Sequence, residues 1–535
     1  MMKRVNVFFF IIFALYFVNE GIGQSWQKVY FPNTGPWGVI ESYDNGFVIA
    51  GMYYSNFTVH WGLILKTDIN GVVLWHKRVG TYNDGTVVYD IKQTNDGGYI
   101  LTGATCQVNE KTDPYILKLD ACGNIDWCRI YSTPGDDDIG KAISPVSDGY
   151  ISYIFRHGDD SIQPQIWLFK LDDSGDVIWK QSYAQTDTLL RHELCYTLHV
   201  TNDDYFLLSG YCYYPDSITG QTSYLKPLLI KVDQFGNYEW ELPWFKINGE
   251  IYYGQGIQSI TSLKNTIYTG ARHIIPFGPY QGDKPSLLKT SDDGNEISYH
   301  DLNQNSVLGI TSTIDWFADS TLALGGGWWI AGGEPENKIT KVDTNGNILK
   351  IKDIIVSYET FQDGVVTNDN KLLIVAGIYT NMLKTYAWKL NSDLEYDSIY
   401  TQPFVYDSLC PYPIASDTIP LDCVVVGIDE PFQNPKIGRL KIYPNPASDK
   451  IHIVIPEHLK TETTIPSFNV TTMHYQWQSA ILEVYDLFGR RMYSLEVRQE
   501  DKELSFDVSS WKAGMYVVRL VYQNHTVGSV KVIIQ

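Results

Sequence analysis

Short apolar runs alternate along most of this chain with polar turns that carry glycine. The stretch Thr94 to Trp127, TNDGGYILTGATCQVNEKTDPYILKLDACGNIDW, sets the pattern. An Asn-Asp-Gly-Gly turn leads into an apolar strand ending at Gly103. A polar loop follows, then a second strand (Tyr115 to Leu119), a turn around Gly123 and a strand bearing Trp127. Glycine supplies the positive φ that tight β-turns need, so the stretch predicts two hairpins in succession.

The unit repeats. A Lys-x-Asp-x-x-Gly pattern before the second turn occurs at Lys66/Asp68/Gly71, Lys118/Asp120/Gly123, Lys170/Asp172/Gly175, Lys231/Asp233/Gly236 and Lys341/Asp343/Gly346. Lys289/Gly294 has Ser291 in place of the Asp, and Lys389/Asn391/Leu394 has lost both Asp and Gly. Successive lysines lie 52, 52, 61, 58, 52 and 48 residues apart. The strand-ending glycine keeps step at Gly51, Gly103, Gly210, Gly270, Gly326 and Gly377, with the third repeat as the exception. Seven units of about 50 residues, each with room for four short strands, match the propeller period and no helical repeat. The expected fold is all-β: a seven-bladed β-propeller over 24–404, then a junction over 405–439 and a small Ig-like β-sandwich over 440–535. A fragment around Trp26 resembles the Trp-bearing strand of the repeats (Trp75, Trp127, Trp179, Trp240). It is expected to close the ring by completing the last blade's sheet.

Composition changes this picture little. Charged residues are 19% and the formal net charge is −20, without a basic run, so nucleic acid is not an expected partner. At the N-terminus Lys3 and Arg4 precede the apolar Val7 to Val18, and Gly21-Ile22-Gly23 offers small residues for cleavage. Residues 1–23 therefore read as an export signal, too short to span a bilayer. Export favours disulfides among the seven cysteines. Cys410 with Cys423, in the Pro-rich junction, is one expected pair, and Cys122 with Cys128, flanking a turn, is the second.

The last segment changes character. Strand-like runs such as LKIYPNPASDKIHIVI and LSFDVSSWKAGMYVVRLVY are separated by turns at Asn445-Pro446, Gly489 and Gly514. The opening Tyr443-Pro444-Asn445-Pro446, the centre Tyr485-Asp486-Leu487-x-Gly489, the strand Gly514-Met515-Tyr516 and a final strand with Lys531 resemble the C-terminal sorting domain of type IX secretion. The resemblance covers about the last 96 residues. Glu457 to Ala480 departs from it as a longer link after the first strand. It implies recognition by the type IX machinery, passage through the periplasm and outer membrane, and release or attachment at the surface. The repeats resemble bacterial surface propellers more generally.

Catalytic chemistry is hard to find. His192-Glu193 starts an H-E-x-x-H pattern, but Tyr196 stands where the second histidine would be. Asp136-Asp137-Asp138, Asp68-x-Asn70-Gly71 and Asp343-x-Asn345-Gly346 could offer oxygens to calcium. A site needs about 6 to 8 of them, however, and Asp or Asn before Gly is what a turn demands, so no cofactor is expected. A repeated Lys or Asp also reads as structural. The expected function is a non-catalytic binding or adhesion head for carbohydrate or protein. The alternative is a propeller glycosidase or polysaccharide lyase, for which Asp84, Asp137, Glu193 and Asp363 would have to converge. Ligand binding is expected on the face with variable loops, whose aromatics suit stacking: Trp328 and Trp329 first, then Tyr213, Tyr214, Phe277 and Tyr280.

Overall fold

In the computed structural model the described residues are 26–535, apart from 56–57, 83, 109–110, 133–136, 158–164, 184–192, 215–223, 243–245, 248–249, 252, 276–281, 296, 303–306, 331–335, 355–360, 380, 428–437, 456–462, 465–473, 476–478, 487–489, 499–500 and 523–524. The export signal, Asp136, His192, Phe277, Tyr280 and Gly489 fall outside them.

Seven antiparallel sheets follow one another in phase, each numbered here as a blade. Their first strands are Thr34–Glu41, Val87–Gln93, Asp138–Val146, Glu193–Val200, Gly254–Thr261, Val307–Trp316 and Phe361–Val366. Each packs against the first strand of the next blade, and the seventh packs against that of blade 1, so the ring is closed around these strands. The fold is a seven-bladed β-propeller. Blade 7 takes its fourth strand from the N-terminus: Gln27–Pro32 pairs antiparallel with Leu383–Leu390, Gln27 opposite Trp388. The closing strand thus lies where the Trp26 fragment suggested. A ring closed this way leaves no open edge between its ends.

Each element of the repeat has a mechanical task. The turn Asp accepts two backbone N–H groups: Asp68 Oδ1 takes Asn70 N at 2.9 Å and Val72 N at 2.7 Å, with Gly71 at φ +73°. Nor is there room for a side chain at Gly71, where a Cβ would lie 2.8 Å from the Trp26 ring. Trp127, Trp179 and Trp240 cover Gly175, Gly236 and Gly294 in the same manner. In these blades the outer-strand tryptophan therefore roofs the turn of the next, whereas Trp75 of blade 1 instead bonds Asp407 and Gly123 is covered by Lys77. In five of the seven copies the repeat lysine reaches back to the Asp of its blade's first turn, as Lys66 to Asp44 at 2.6 Å, Lys118 to Asp96 at 2.7 Å and Lys341 to Asp319 at 2.8 Å. Lys231 instead pairs with Asp292 of the next blade, and Lys289 bonds the carbonyl of Thr344. Lys66 and Asp44 are both fully enclosed, and a buried charge must be paired. Burial pulls the lysine below its ordinary pKa despite the carboxylate. In the seventh copy Leu394 adopts φ +58° where the glycine is lost.

The third recurrent feature is the strand-ending glycine. Every first strand carries a β-bulge, for instance between Val88 and Asp90 opposite Gly103 and Thr102. The bulge brings Val87 O to 1.8 Å from where a Cβ on Gly103 would sit. At Gly103 only glycine fits. Blades 5 and 7 have Ala271 and Ala376 at this position, with Gly270 and Gly377 one residue out of register, and blade 3 has Ile154, with its glycine across the ladder at Gly140.

Beyond blade 7 the chain is laid onto blades 1 and 2. Tyr406 Oη accepts Ile69 N at 3.0 Å, and Asp407 Oδ2 accepts Trp75 Nε1 at 3.0 Å. Asp417–Ile419 then adds a parallel strand beside Val73–Val79, with Asp417 2.7 Å from Lys77 Nζ, and Val424–Gly427 does the same beside Ile125–Ser132. The disulfides are Cys122–Cys410 and Cys128–Cys423. This corrects both expected pairings. A strand rises about 3.3 Å per residue, so Cys128, well along its strand from the turn holding Cys122, is out of that residue's reach. The parallel strap instead brings one partner to each. Cys106, Cys195 and Cys212 take no part in these two disulfides.

The C-terminal segment is an Ig-like β-sandwich. One sheet holds Ser479–Asp486, Arg491–Arg498, Gly514–Tyr522 and His525–Ile534; the other holds Lys441–Tyr443, Lys450–Val454 and Glu503–Asp507. Its core includes Leu440, Ile451, Ile453, Leu482, Val484, Val518 and Val532. Most of the long link lies outside the described residues, which include the pair Thr463–Thr464 and His474–Tyr475 within it.

Candidate ligand site at the channel mouth

The first strands line the central channel, and their bulges set its chemistry. The residue just after each bulge faces the next blade. Asp90 Oδ2 accepts Ile143 N at 2.9 Å, Gln258 Oε1 accepts Ile314 N at 2.9 Å, and Asp363 Oδ2 accepts Val39 N at 2.9 Å. Thr197 donates to Ile257 O at 3.0 Å. Asp315, two residues further along its strand than this position, accepts Val366 N at 2.6 Å. The second oxygen of each aspartate takes its own following amide: Ile91 N, Trp316 N and Gly364 N. These side chains stitch blade to blade.

Inside the ring Lys92 pairs with Asp90 at 2.6 Å. Burial alone would lower its pKa, but the carboxylates of Asp90 and Asp363 outweigh it and hold the ammonium charged. Burial pushes Asp363 and Asp315 up to about 6 against their amide bonds. It drives His199, which bonds Thr261 Oγ1 at 3.1 Å, down to about 4, helped by Lys92.

The bulge residues themselves are Trp37, Tyr89, Lys141, Tyr196, Ile257, Ser312 and Gln362 in blade order. All but Ser312 lie in the first half of their strands, toward the side where the chain enters from the preceding blade. In an up-and-down blade those entries emerge on the same face as the long loops between second and third strands. The bulges therefore ring the channel mouth on the variable-loop face. Blades 1 to 3 place Trp37, Tyr89 and Lys141 together. The Trp37 and Tyr89 rings meet edge to face at 5.2 Å, and Lys141 Nζ lies 4.3 Å from the Tyr89 centroid and 5.6 Å from that of Trp37. Among the described residues Lys141 has no carboxylate partner, and burial pushes it down to about 8. Trp37 Nε1 is buried without an acceptor. Sequence reasoning missed this group because the inner strands read simply as apolar. Aligning them on the bulge brings out the column Trp-Tyr-Lys-Tyr. A second aromatic group stands on blade 1, with Arg78 Cζ 4.8 Å from the Trp61 ring and His60 stacked on Tyr82 at 4.3 Å.

The expected site residues fall elsewhere. Trp328 and Trp329 belong to the strand Leu322–Ile330, opposite Gly309 and Leu308, and not to a loop; their side chains lie outside the described residues. Tyr213 and Tyr214 likewise end the strand Phe206–Tyr214. The acids weighed for catalysis are separately occupied. Asp84 takes Thr81 N at 2.8 Å, Asp137 takes Thr112 N at 2.8 Å and Lys111 at 3.0 Å, and Asp363 is a stitch; the Glu193 side chain is outside the described residues. Among the described residues no group of three or more His, Cys, Asp or Glu side chains could hold a metal ion.

In the sandwich, the Tyr443-Pro444-Asn445-Pro446 turn ties the first strand to the last. Asn445 Oδ1 accepts Ile533 N at 2.9 Å, and Ala447 exchanges backbone bonds with Ile533 and Gln535. Tyr443 stacks on His452 and donates to Glu503 at 2.8 Å. Tyr516 donates to Lys512 O at 2.8 Å and packs on Trp511, two residues along from Gly514. Asp486 and Lys531 are placed by backbone pairing, opposite Tyr516 and Val517.

Several solved structures overlay on the chain. An ulvan lyase, a polysaccharide lyase, shares 10% identity over 69% of this chain and 96% of its own, with a TM-score of 0.46. A protein of unknown function from Dyadobacter fermentans shares 12% over 68% and 98%, at 0.37, and the alpha-L-arabinanase of Penicillium chrysogenum shares 10% over 67% and 94%, at 0.36. Overlays this loose carry no weight for function, and the propeller rests on its own sheet order. No curated protein sequence matches the chain. Residues 441–535 match the family described as the secretion system C-terminal sorting domain, so this chain carries a type IX sorting domain and is exported through the periplasm and outer membrane to the cell surface or the medium.

Proposed function

We propose that the propeller is a non-catalytic binding head, delivered to the cell exterior by its sorting domain, which takes a carbohydrate or protein ligand on the variable-loop face. One observation carries this reading. The channel carboxylates Asp90, Asp315 and Asp363 have their oxygens engaged by backbone amides of their own and the next blade, while Trp37 and Lys141 keep donor capacity that a bound ligand could use. Rigid scaffolds commonly present ligand sites in this way. Residues 1–23 act as the signal that starts export, and 24–404, 405–439 and 440–535 serve as head, strap and address. A glycan and polysaccharide binding screen on the mature protein, with product analysis of every hit, tests the reading. Binding with the ligand recovered unchanged supports it, and shortened or unsaturated products would establish a glycosidase or lyase instead.

A further inference from the structure

We propose that Trp37, Tyr89 and Lys141 form a subsite for the acidic group of a saccharide, a sugar carboxylate or sulfate ester, at the channel mouth. The inference rests on the binding-head reading and names its ligand class.

Three features point to it. Lys141 is the bulge residue of blade 3, half-buried and faced by two rings, with no carboxylate beside it among the described residues. Several other lysines of the ring are matched by a carboxylate, Lys66 by Asp44, Lys92 by Asp90, Lys118 by Asp96 and Lys389 by Asp369, whereas Lys289, among the described residues, bonds only the carbonyl of Thr344. An ammonium lodged on aromatic faces recovers only part of its hydration, so a desolvated cation held there without a counter-charge is poised for one.

The second feature is the Trp37 indole N–H, buried with no acceptor. It and the Lys141 ammonium are donors only. A group that satisfies either must be an acceptor, and a carboxylate or sulfate offers several oxygens at once. The third feature is the pair of rings, 5.2 Å apart and inclined at 61°. Such a corner presents apolar faces to the C–H face of a sugar while its polar groups reach the acidic substituent. A peptide would bring backbone N–H groups that need acceptors, and Asp90, the carboxylate next to Tyr89 in the chain, is already occupied by Lys92, Ile91 N and Ile143 N. The chain's net charge of −20 opposes an anion at long range. Physiological salt screens charges beyond about 8 Å, which leaves the local ammonium to decide.

Calorimetric titration of the mature full chain at pH 7 tests this with four probes of equal length: a galacturonate oligomer, a sulfated galactose oligomer, a neutral glucose oligomer and a poly-glutamate peptide. At least one acidic sugar should bind about tenfold or more tightly than the neutral one. Lys141→Met should abolish that preference, and Trp37→Phe, which keeps a ring but loses the donor, should weaken it several-fold, with melting temperatures not lowered. Should a variant fail to fold, the wild-type pH profile decides: affinity for the acidic sugar should fall about tenfold between pH 7 and 9 as an ammonium titrating near 8 is lost. Sugar binding unchanged in Lys141→Met, or flat across that pH range, overturns the subsite and leaves the binding head standing. Preference for poly-glutamate that Lys141→Met removes would replace the saccharide with an acidic peptide. No binding by any probe would overturn the subsite, and the binding head is judged separately by the wider glycan and polysaccharide screen.

Discussion

Reducing the two strap disulfides should cost the propeller several kcal/mol, because they bridge residues almost the whole ring apart. The separations are 288 and 295 residues. In the chain-entropy treatment, the first bond to form removes about 5.7 kcal/mol of unfolded-state freedom. Once it exists, the second closes a ring of only about 20 residues and adds about 3 kcal/mol. The sum, about 9 kcal/mol, is an upper limit, since single disulfides typically deliver about 2–4. Unfolding entropy near 2.1 cal/mol/K per residue over roughly 400 residues converts this range into a fall of about 5–10 °C in melting temperature. The assay is thermal unfolding of the wild type, oxidised and reduced, beside Cys410→Ser/Cys423→Ser. Thiol titration in denaturant should give seven free groups after reduction and three before it. The double variant should melt with the reduced protein and expose the strap to proteolysis ahead of the blades. If fully reduced protein melts within about 1 °C of the oxidised form, the strap is held by its strand pairing and by Asp407 and Asp417 alone, and the reasoning fails.

Gly103→Ala should destabilise the protein by roughly 1–3 kcal/mol in chemical denaturation, because Val87 O occupies the place of the new methyl group; a neutral result would mean the bulge relaxes freely. His199 is held well below its ordinary pKa, so the folded state binds fewer protons than the unfolded chain between pH 6.5 and about 4, and stability is lost as pH falls through that window. His199→Gln removes the loss, and its stability relative to wild type should improve by about 2 kcal/mol between pH 7 and 4.5. Asp315 and Asp363 act with the opposite sign, gaining stability on acidification from about 6, so the comparison must be between variants and not within the wild type. Deleting residues 440–535 should leave the protein in the periplasm, and surface display of the truncated chain would refute the sorting role.

The blade count was written in the sequence because each blade solves the same local problem with the same residues. A turn needs Gly71 and its five glycine counterparts in phase, a bulge needs Gly103, and the buried Lys66 needs its turn aspartate. The sorting domain was legible for a similar reason, since Asn445 and Ala447 must meet the last strand from a fixed turn. Even the closing strand could be anticipated, because Trp26 repeats a residue whose task is to roof the next blade's turn. Pairing across the ring left no such trace. The cysteine partners follow from a parallel strap that no local pattern specifies, and expected neighbours in sequence proved to be strangers in space. The candidate site was hidden for the same reason. Trp37, Tyr89 and Lys141 stand about 52 residues apart, each an ordinary residue in an apolar run, and only the bulges that turn three inner strands toward one channel mouth bring them together. Trp328 and Trp329 show the converse: glycines on both sides suggested a loop, yet strand pairing with Gly309 and Leu308 claimed the backbone. Local sequence fixes what a turn or a strand requires of its own residues, whereas which side chains share a site depends on ring closure, and that is settled only when blade 7 meets blade 1.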